Sequence, residues 1–349
     1  MGALTKMIKV SIICLLYQST RLADWVYQSL IDHTPKLQTG EAEFFFVAND
    51  PTRELVDHLR HKGYPFIINI NERLTDQELS EKGYAKPEYI RRVYQGYNQG
   101  IRHAQGNLVC LINSDHYFSP DWLENLIKYA NYNKIITSQL VEPEHHLPVY
   151  WSAYNGEFGT SIEKFDKEGF LAYADRRRTT GLYQSGAHMP CLMYKDILLY
   201  TGLYPEGNMI DFETGDTIPG DIYMFDKLKK LNVKHLTSLD SIVYHLGEGE
   251  KVETGEADPE LCDIGYAGRD LLKRAAALPA LDHISVIGYF PETSAAEEII
   301  SRLMYGEIKK QKSIVARLKA KIVAVLIKRP KLFNAVSRVY RIVRRKQKK

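Results

Sequence analysis

Residues 8–16, "IKVSIICLL", form a continuous apolar run. Such a run fits a strand buried on both faces, as in a parallel sheet. Residues 20–31, "TRLADWVYQSLI", then place Leu22, Trp25, Val26 and Leu30 at helical spacing. Further strands are predicted at 42–50 ("AEFFFVAND"), 66–70 ("FIINI") and 107–115 ("NLVCLINSD"). Between them, "TRELVDHLRHKG" predicts a helix stopped by Gly63, and "PEYIRRVYQGYNQGIRHAQG" a long helix ending at Gly106. In "SPDWLENLIKYA", Ser119 fits an N-cap and Pro120 the first helical position.

Strands and helices thus alternate through residues 8–130. The alternation predicts an α/β fold with a doubly wound, mostly parallel sheet. Ligands of such sheets bind outside the carboxyl ends of the strands. Polar side chains gather at those ends: Tyr17, Gln18 and Ser19; Asn49 and Asp50; Asn113 and Asp115. From 136 to 245 the pattern is less regular, with strand-like "KIITSQLV", "CLMY" and "SIVYH" and one helix, "DIYMFDKLKKLN".

Charge divides the chain. Of 349 residues, those from Ile308 to Lys349 hold 16 Lys and Arg and no Asp or Glu; 30 basic and 43 acidic residues precede them. Within that tail Ile314, Val315, Leu318, Ile322, Val325 and Leu326 recur at helical spacing, and after Pro330 the pattern resumes with Leu332, Phe333, Val336 and Val339. A basic amphipathic pattern of this kind suits the surface of an anionic membrane; nucleic acid would not require the aliphatic stripe. The alternative is a pair of helices that cover the body. No stretch approaches the length of a membrane span. The four cysteines are dispersed without a C-x-x-C pair, as expected of buried thiols in a reducing compartment. The expected location is cytoplasmic, peripheral at the cytoplasmic face of a membrane.

A dinucleotide-binding fold requires a G-x-G-x-x-G turn after the first strand. Here that turn reads "LLYQSTRL", without glycine, and no P-loop pattern occurs. A diphosphate bound without a glycine-rich cradle needs a divalent cation to offset its charge. That draws attention to Asp115.

Four stretches, in order, carry a resemblance to the family 2 glycosyltransferases of the GT-A fold: "SIICLLYQS", "FFFVANDPT", "RVYQGYNQGIRHAQGNLVCLINSD", and "MPCLMYKDILLYTGLYPEG" with "PGDIYMFDKLKKLN" and "VYHLGEG". Together they span about two-thirds of the chain. The resemblance implies an inverting enzyme that moves a sugar from a nucleotide-sugar donor to a glycan or lipid-linked acceptor. It implies a GT-A domain at 1–250, with a nucleotide-binding half at 1–135 and an acceptor half at 136–250. A mixed helical extension at 251–306 and the basic tail at 307–349 follow.

The resemblance also implies roles. Asp115 ends the D-x-D-like stretch and is the expected ligand of Mn²⁺ or Mg²⁺; His245 resembles the histidine that closes the metal site in relatives. For His116, a ligand role and a packing role stay open. Asp221 is the expected general base, with Asp211, Glu213 and Asp216 as alternatives. Tyr17, Asn49, Asp50, Arg92, Asn113 and Ser114 are expected around the nucleotide, and Gly186, His188 and Pro190 around the sugar. His145 and His146 point to opposite faces if extended, which argues against a shared metal. The chain departs from the family at Asn113, at Asn49, and at Gly220 and Tyr223 on either side of Asp221, where carboxylates are usual. A catalytically inactive GT-A-like binding module recruited by its basic tail is the alternative.

Overall fold

The computed structural model describes residues 9–86, 88–143, 154–184, 188–210 and 217–247. The chain divides into two compact units, Met1–Glu292 and Thr293–Lys349, and every described residue lies in the first. The basic tail, the 251–306 extension, Gly186, Asp211, Glu213, Asp216, His145, His146 and Cys262 lie outside the described residues.

The expected parallel strands form. Phe66–Asn69, Ala42–Asn49, Val10–Leu16 and Leu108–Asn113 lie side by side in that order, all parallel. Cys191–Tyr194 comes next, then Lys134–Glu142, Lys234–His245 and His116–Phe118. Two short strands complete this ten-stranded sheet, and Tyr84–Ala85, Asn208–Ile210 and Thr217–Ile218 form a separate three-stranded one. The result is a mixed α/β architecture with a mostly parallel sheet.

Direction matters more than order. Cys191–Tyr194 is antiparallel to both Leu108–Asn113 and Lys134–Glu142, so those two point the same way. Lys234–His245 is parallel to Lys134–Glu142. The carboxyl ends at Leu16, Asn49, Asn69, Asn113, Glu142 and His245 therefore share one sheet edge. The segment entering Cys191–Tyr194 arrives at the same edge, because Cys191 pairs with Leu111.

On one face of the sheet, helix Thr20–His33 buries Leu22, Val26 and Leu30 against Ile12, Phe44 and Phe46. Its start is set by Ser19, whose hydroxyl accepts from the Leu22 N–H at 3.2 Å. Helix Arg53–Lys62 ends at Gly63, as expected, with φ of 68°. On the other face lies helix Glu88–His103. Gly96 and Gly100 let it approach closely: a Cβ on Gly100 would fall 2.5 Å from Ile13 Cγ2 and 2.9 Å from Val47 Cγ2.

The structure corrects two expectations about the stretch from 107 to 122. Ser119 does not cap a helix. Its N–H donates to the Ile242 carbonyl at 3.2 Å, extending the pairing of His116–Phe118 with Lys234–His245. The helix begins only at Trp122, after Asp121 with φ of 58°. The bond to Ile242 ties Ser119 to the sheet, and Pro120 and Asp121 form a turn before the helix starts. The predicted strand at 107–115 likewise stops at Asn113, turns through Ser114 and Asp115, and returns as His116–Phe118.

Cys14, Cys110 and Cys191 are free and buried. Burial raises all three thiol pKa values, which makes them inert packing groups.

Candidate functional site

Three clusters occupy the shared edge. The first grows from the turn after Leu108–Asn113. Antiparallel pairing sets His116 opposite His245. Their ring centroids are 5.1 Å apart, edge to face. His245 Nε2 lies 3.2 Å from Asp115 Oδ2, and its Nδ1 lies 2.8 Å from Glu142 Oε1. One ligand atom each from Asp115, His116 and His245 falls within 4.8 Å of the others.

Burial divides the two imidazoles. His116 is fully buried, and burial with the neighbouring His245 pushes its pKa down to about 3. It is therefore neutral, with Nδ1 accepting from the Asn113 N–H at 3.3 Å. His116 Nε2 is buried and has no hydrogen-bond partner among the described residues. Burial pulls His245 down too, but the charges and hydrogen bonds of Asp115 and Glu142 prevail and raise it to about 10. A carboxylate and two imidazoles at this spacing suit a divalent cation, and the orphaned His116 nitrogen fits a ligand role.

Asn113 does not join them. Its Oδ1 accepts from the Tyr97 hydroxyl at 2.9 Å, and that hydroxyl also lies 3.1 Å from the Ile112 carbonyl. The amide where a carboxylate was expected is thus bound to the long helix. Ser114 occupies the turn, half-buried.

The second cluster sits past the first two strands. Asp50 adopts φ of 49°, a conformation that Asp tolerates. Its Oδ1 accepts from the Asn71 N–H at 2.8 Å, and its Oδ2 pairs with Arg92 at 3.1 Å and Arg73 at 3.6 Å. Burial would raise its pKa, but the Asn71 N–H and the two guanidinium groups hold it below the usual carboxylate range. Arg92 is also fixed by Glu88 at 3.0 Å, and its guanidinium lies 6.0 Å from the ring centroid of Tyr17, which is exposed. Tyr17, Asp50 and Arg92 thus meet at this edge. Asn49 lies beneath them, buried, its amide bound to Asn69, Asn71 and the Arg92 carbonyl. It positions the cluster rather than offering an amide to a ligand.

The third cluster joins Asp221 to His188. Asp221 lies in the first turn of helix Gly220–Lys230. Its Oδ2 is 2.7 Å from His188 Nδ1, and its Oδ1 accepts from the Ile222 N–H at 2.8 Å. Tyr94, on the long helix, accepts from the Asp221 N–H at 3.1 Å. Burial would raise the Asp221 pKa; His188 and the Ile222 N–H outweigh it and hold the carboxyl below its ordinary value. His188 precedes Cys191–Tyr194, so this pair comes to the same edge as Asp115.

Sequence reasoning missed Glu142, Tyr94, Tyr97 and Arg73. Glu142 carried the signal that exposed Asp115, a carboxylate at the carboxyl end of an apolar run. The tyrosines gave none, since helical spacing also fits a plain core position.

Residues 82–196 match the family model described as Glycosyl transferase family 2. Among solved structures the chain is similar to GalNAc-T7 with UDP, GalNAc and Mn²⁺, at 14% identity over 68% of this chain and 43% of that one, with a TM-score of 0.44. It is similar to residues 1–349 of TarS from S. aureus at 12% identity, over 88% and 74% of the two chains, with a TM-score of 0.42. It is also similar to the mannosyltransferase PcManGT from Pyrobaculum calidifontis, in complex with GDP-Man and Mn²⁺, at 14% identity over 96% and 85%, with a TM-score of 0.40. The chain spans less than half the length of the first of these. No curated protein matches it.

Proposed function

We propose that this protein, which carries a family 2 glycosyltransferase segment over residues 82–196, transfers a sugar from a nucleotide-sugar donor to a glycan or lipid-linked acceptor with inversion. The observation that carries this reading is the convergence of Asp115, His116 and His245 within 4.8 Å at the carboxyl edge of the sheet. Asp115 and the two histidines would hold a divalent cation, Mn²⁺ or Mg²⁺. Such a cation supplies positive charge to the leaving diphosphate.

The other clusters supply what else the transfer needs. Tyr17, Asp50 and Arg92 form a polar, partly aromatic surface for the nucleotide. Asp221 takes the proton from the acceptor hydroxyl as that oxygen attacks the anomeric carbon. Its depressed pKa keeps it ionised near neutrality, as a base must be. His188 and Tyr94 hold it in place.

The basic tail is read as a membrane contact, which puts the enzyme at the cytoplasmic face of an anionic bilayer. Its support is the run of 16 basic residues from Ile308 to Lys349 with aliphatic residues at helical spacing.

The test is turnover of nucleotide-sugar donors with and without Mn²⁺. Metal-dependent release of the nucleoside diphosphate, abolished by Asp115→Ala and by Asp221→Asn, is expected. Turnover unchanged by either substitution would refute the assignment. No metal-dependent turnover with any donor would favour the inactive binding module.

A further inference from the structure

We propose that Glu142 is the positioning residue of the cation site: it holds the Nδ1–H of His245 and thereby turns Nε2 toward Asp115. This rests on reading Asp115, His116 and His245 as a metal site. Nothing in the family resemblance pointed to Glu142.

The backbone creates the arrangement. Lys134–Glu142 and Lys234–His245 are parallel, with Val141 beside Tyr244. One residue on, Glu142 falls beside His245. The pairing is close, 2.8 Å from Oε1 to Nδ1. The Glu142 side chain is only 4% exposed. Its second oxygen has no hydrogen-bond partner among the described residues. A carboxylate this deeply buried is costly unless a charge or donor answers it. His245 is the group that does.

The consequence follows from imidazole chemistry. An ionised carboxylate only accepts hydrogen bonds, so the nitrogen facing it carries the proton. The opposite nitrogen faces Asp115 at 3.2 Å and donates to it while no cation is bound; a cation seated beside Asp115 would displace that proton and take the Nε2 lone pair, with Glu142 keeping the other proton on Nδ1. A carboxylate behind a ligating histidine fixes the tautomer, holds the ring plane and makes the ligand more basic. Here it also adds negative charge behind a site whose expected second carboxylate is Asn113. Glu142 touches no substrate in this scheme; it acts through His245.

The experiment measures Mn²⁺ binding to the full chain by electron paramagnetic resonance, with no donor present. Wild type, E142Q, E142L and D115A are compared, along with their melting temperatures without metal. The expected loss in Mn²⁺ affinity is about 10-fold for E142Q, whose amide keeps an acceptor but not the charge, and nearer 100-fold for E142L. E142Q should melt close to wild type. A purely structural Glu142 would instead lower the melting temperature and leave Mn²⁺ affinity in folded E142Q unchanged. Folded E142Q that binds Mn²⁺ as wild type does overturns the proposal, whether or not E142L folds. A wild-type chain that binds Mn²⁺ no better than D115A overturns the metal reading itself, and this proposal with it.

Discussion

His188 Nδ1 lies 2.7 Å from Asp221 Oδ2, at the carboxyl edge where the proposed cation site also sits. The contact sets how strong a base Asp221 is. Burial alone would raise the carboxyl pKa; His188 and the Ile222 N–H reverse the shift. Replacing His188 by Ala removes the opposing charge and leaves the burial. Asp221 should then protonate at higher pH. The acid limb of the kcat/KM profile is expected to move up by on the order of one pH unit. Asp221→Asn should remove that limb together with most of the activity. An acid limb unmoved in His188→Ala would mean that His188 does not govern the base.

The ion pair of Asp50 with Arg92 makes a prediction about stability. Both side chains are nearly buried, 8% and 11% exposed, and 3.1 Å apart. Arg92→Ala leaves Asp50 with the Asn71 N–H and the more distant Arg73, and should cost about 1–3 kcal/mol near neutrality, between the values for surface and fully buried pairs. The sign of the pH dependence follows from the depressed Asp50 pKa. A carboxyl whose folded pKa is lowered stabilises the fold above its unfolded pKa, and that stability is lost as pH falls through the folded value. The gap between wild type and Arg92→Ala should therefore narrow in acid. Urea melts at neutral pH and below pH about 3 would show it. A gap that stays constant or widens in acid would rule out this pair as its source.

The parts of the fold that follow local rules were legible in the residues. The apolar run at 8–16 and the helical spacing of Leu22, Val26 and Leu30 gave a strand and a helix where the structure has Val10–Leu16 and Thr20–His33. Asp115 and His245 were visible because each closes an apolar run. Ser119 was misread because its N–H pairs with Ile242, more than a hundred residues away, and no local pattern reports that bond. The same limit hid the contact of His188 with Asp221 and that of Glu142 with His245. Each joins elements that only the sheet order brings together. Asn113 stood out as a departure, but its bond to Tyr97 required the helix to lie over the strand.

That helix depends on glycine at the points of closest approach. A Cβ at Gly100 would come within 2.5 Å of Ile13 and 2.9 Å of Val47, both in the sheet. At Gly96 it would come within 2.4 Å of Leu15 and 3.1 Å of the Asn49 amide oxygen. Ala favours helix over Gly by about 1 kcal/mol, yet overpacking a tight core costs about 1–3 kcal/mol. Gly100→Ala should therefore destabilise the protein by up to about 2 kcal/mol while sparing nucleotide affinity in the folded fraction. Gly96→Ala should also press on Asn49, which supports Asp50 and the Arg92 carbonyl, and weaken nucleotide binding. Denaturant melts and equilibrium binding of a nucleoside diphosphate separate the two. Equal binding losses in both variants would mean that the Asn49 network does not transmit the strain.

The basic tail makes a prediction of its own. It carries 16 positive charges and no negative ones from Ile308 onward, with aliphatic residues at helical spacing on either side of Pro330. Attraction to an anionic bilayer contributes about 1 kcal/mol per basic residue near the surface and is screened by salt; burying the aliphatic stripe adds a salt-insensitive part. The full chain should sediment with vesicles containing phosphatidylserine, and a chain ending at Gly306 should not. High salt should release only part of the bound full chain. Complete release by salt would indicate charge without insertion of the stripe. Equal sedimentation of the truncated chain would place the membrane contact elsewhere and leave the tail to cover the body instead.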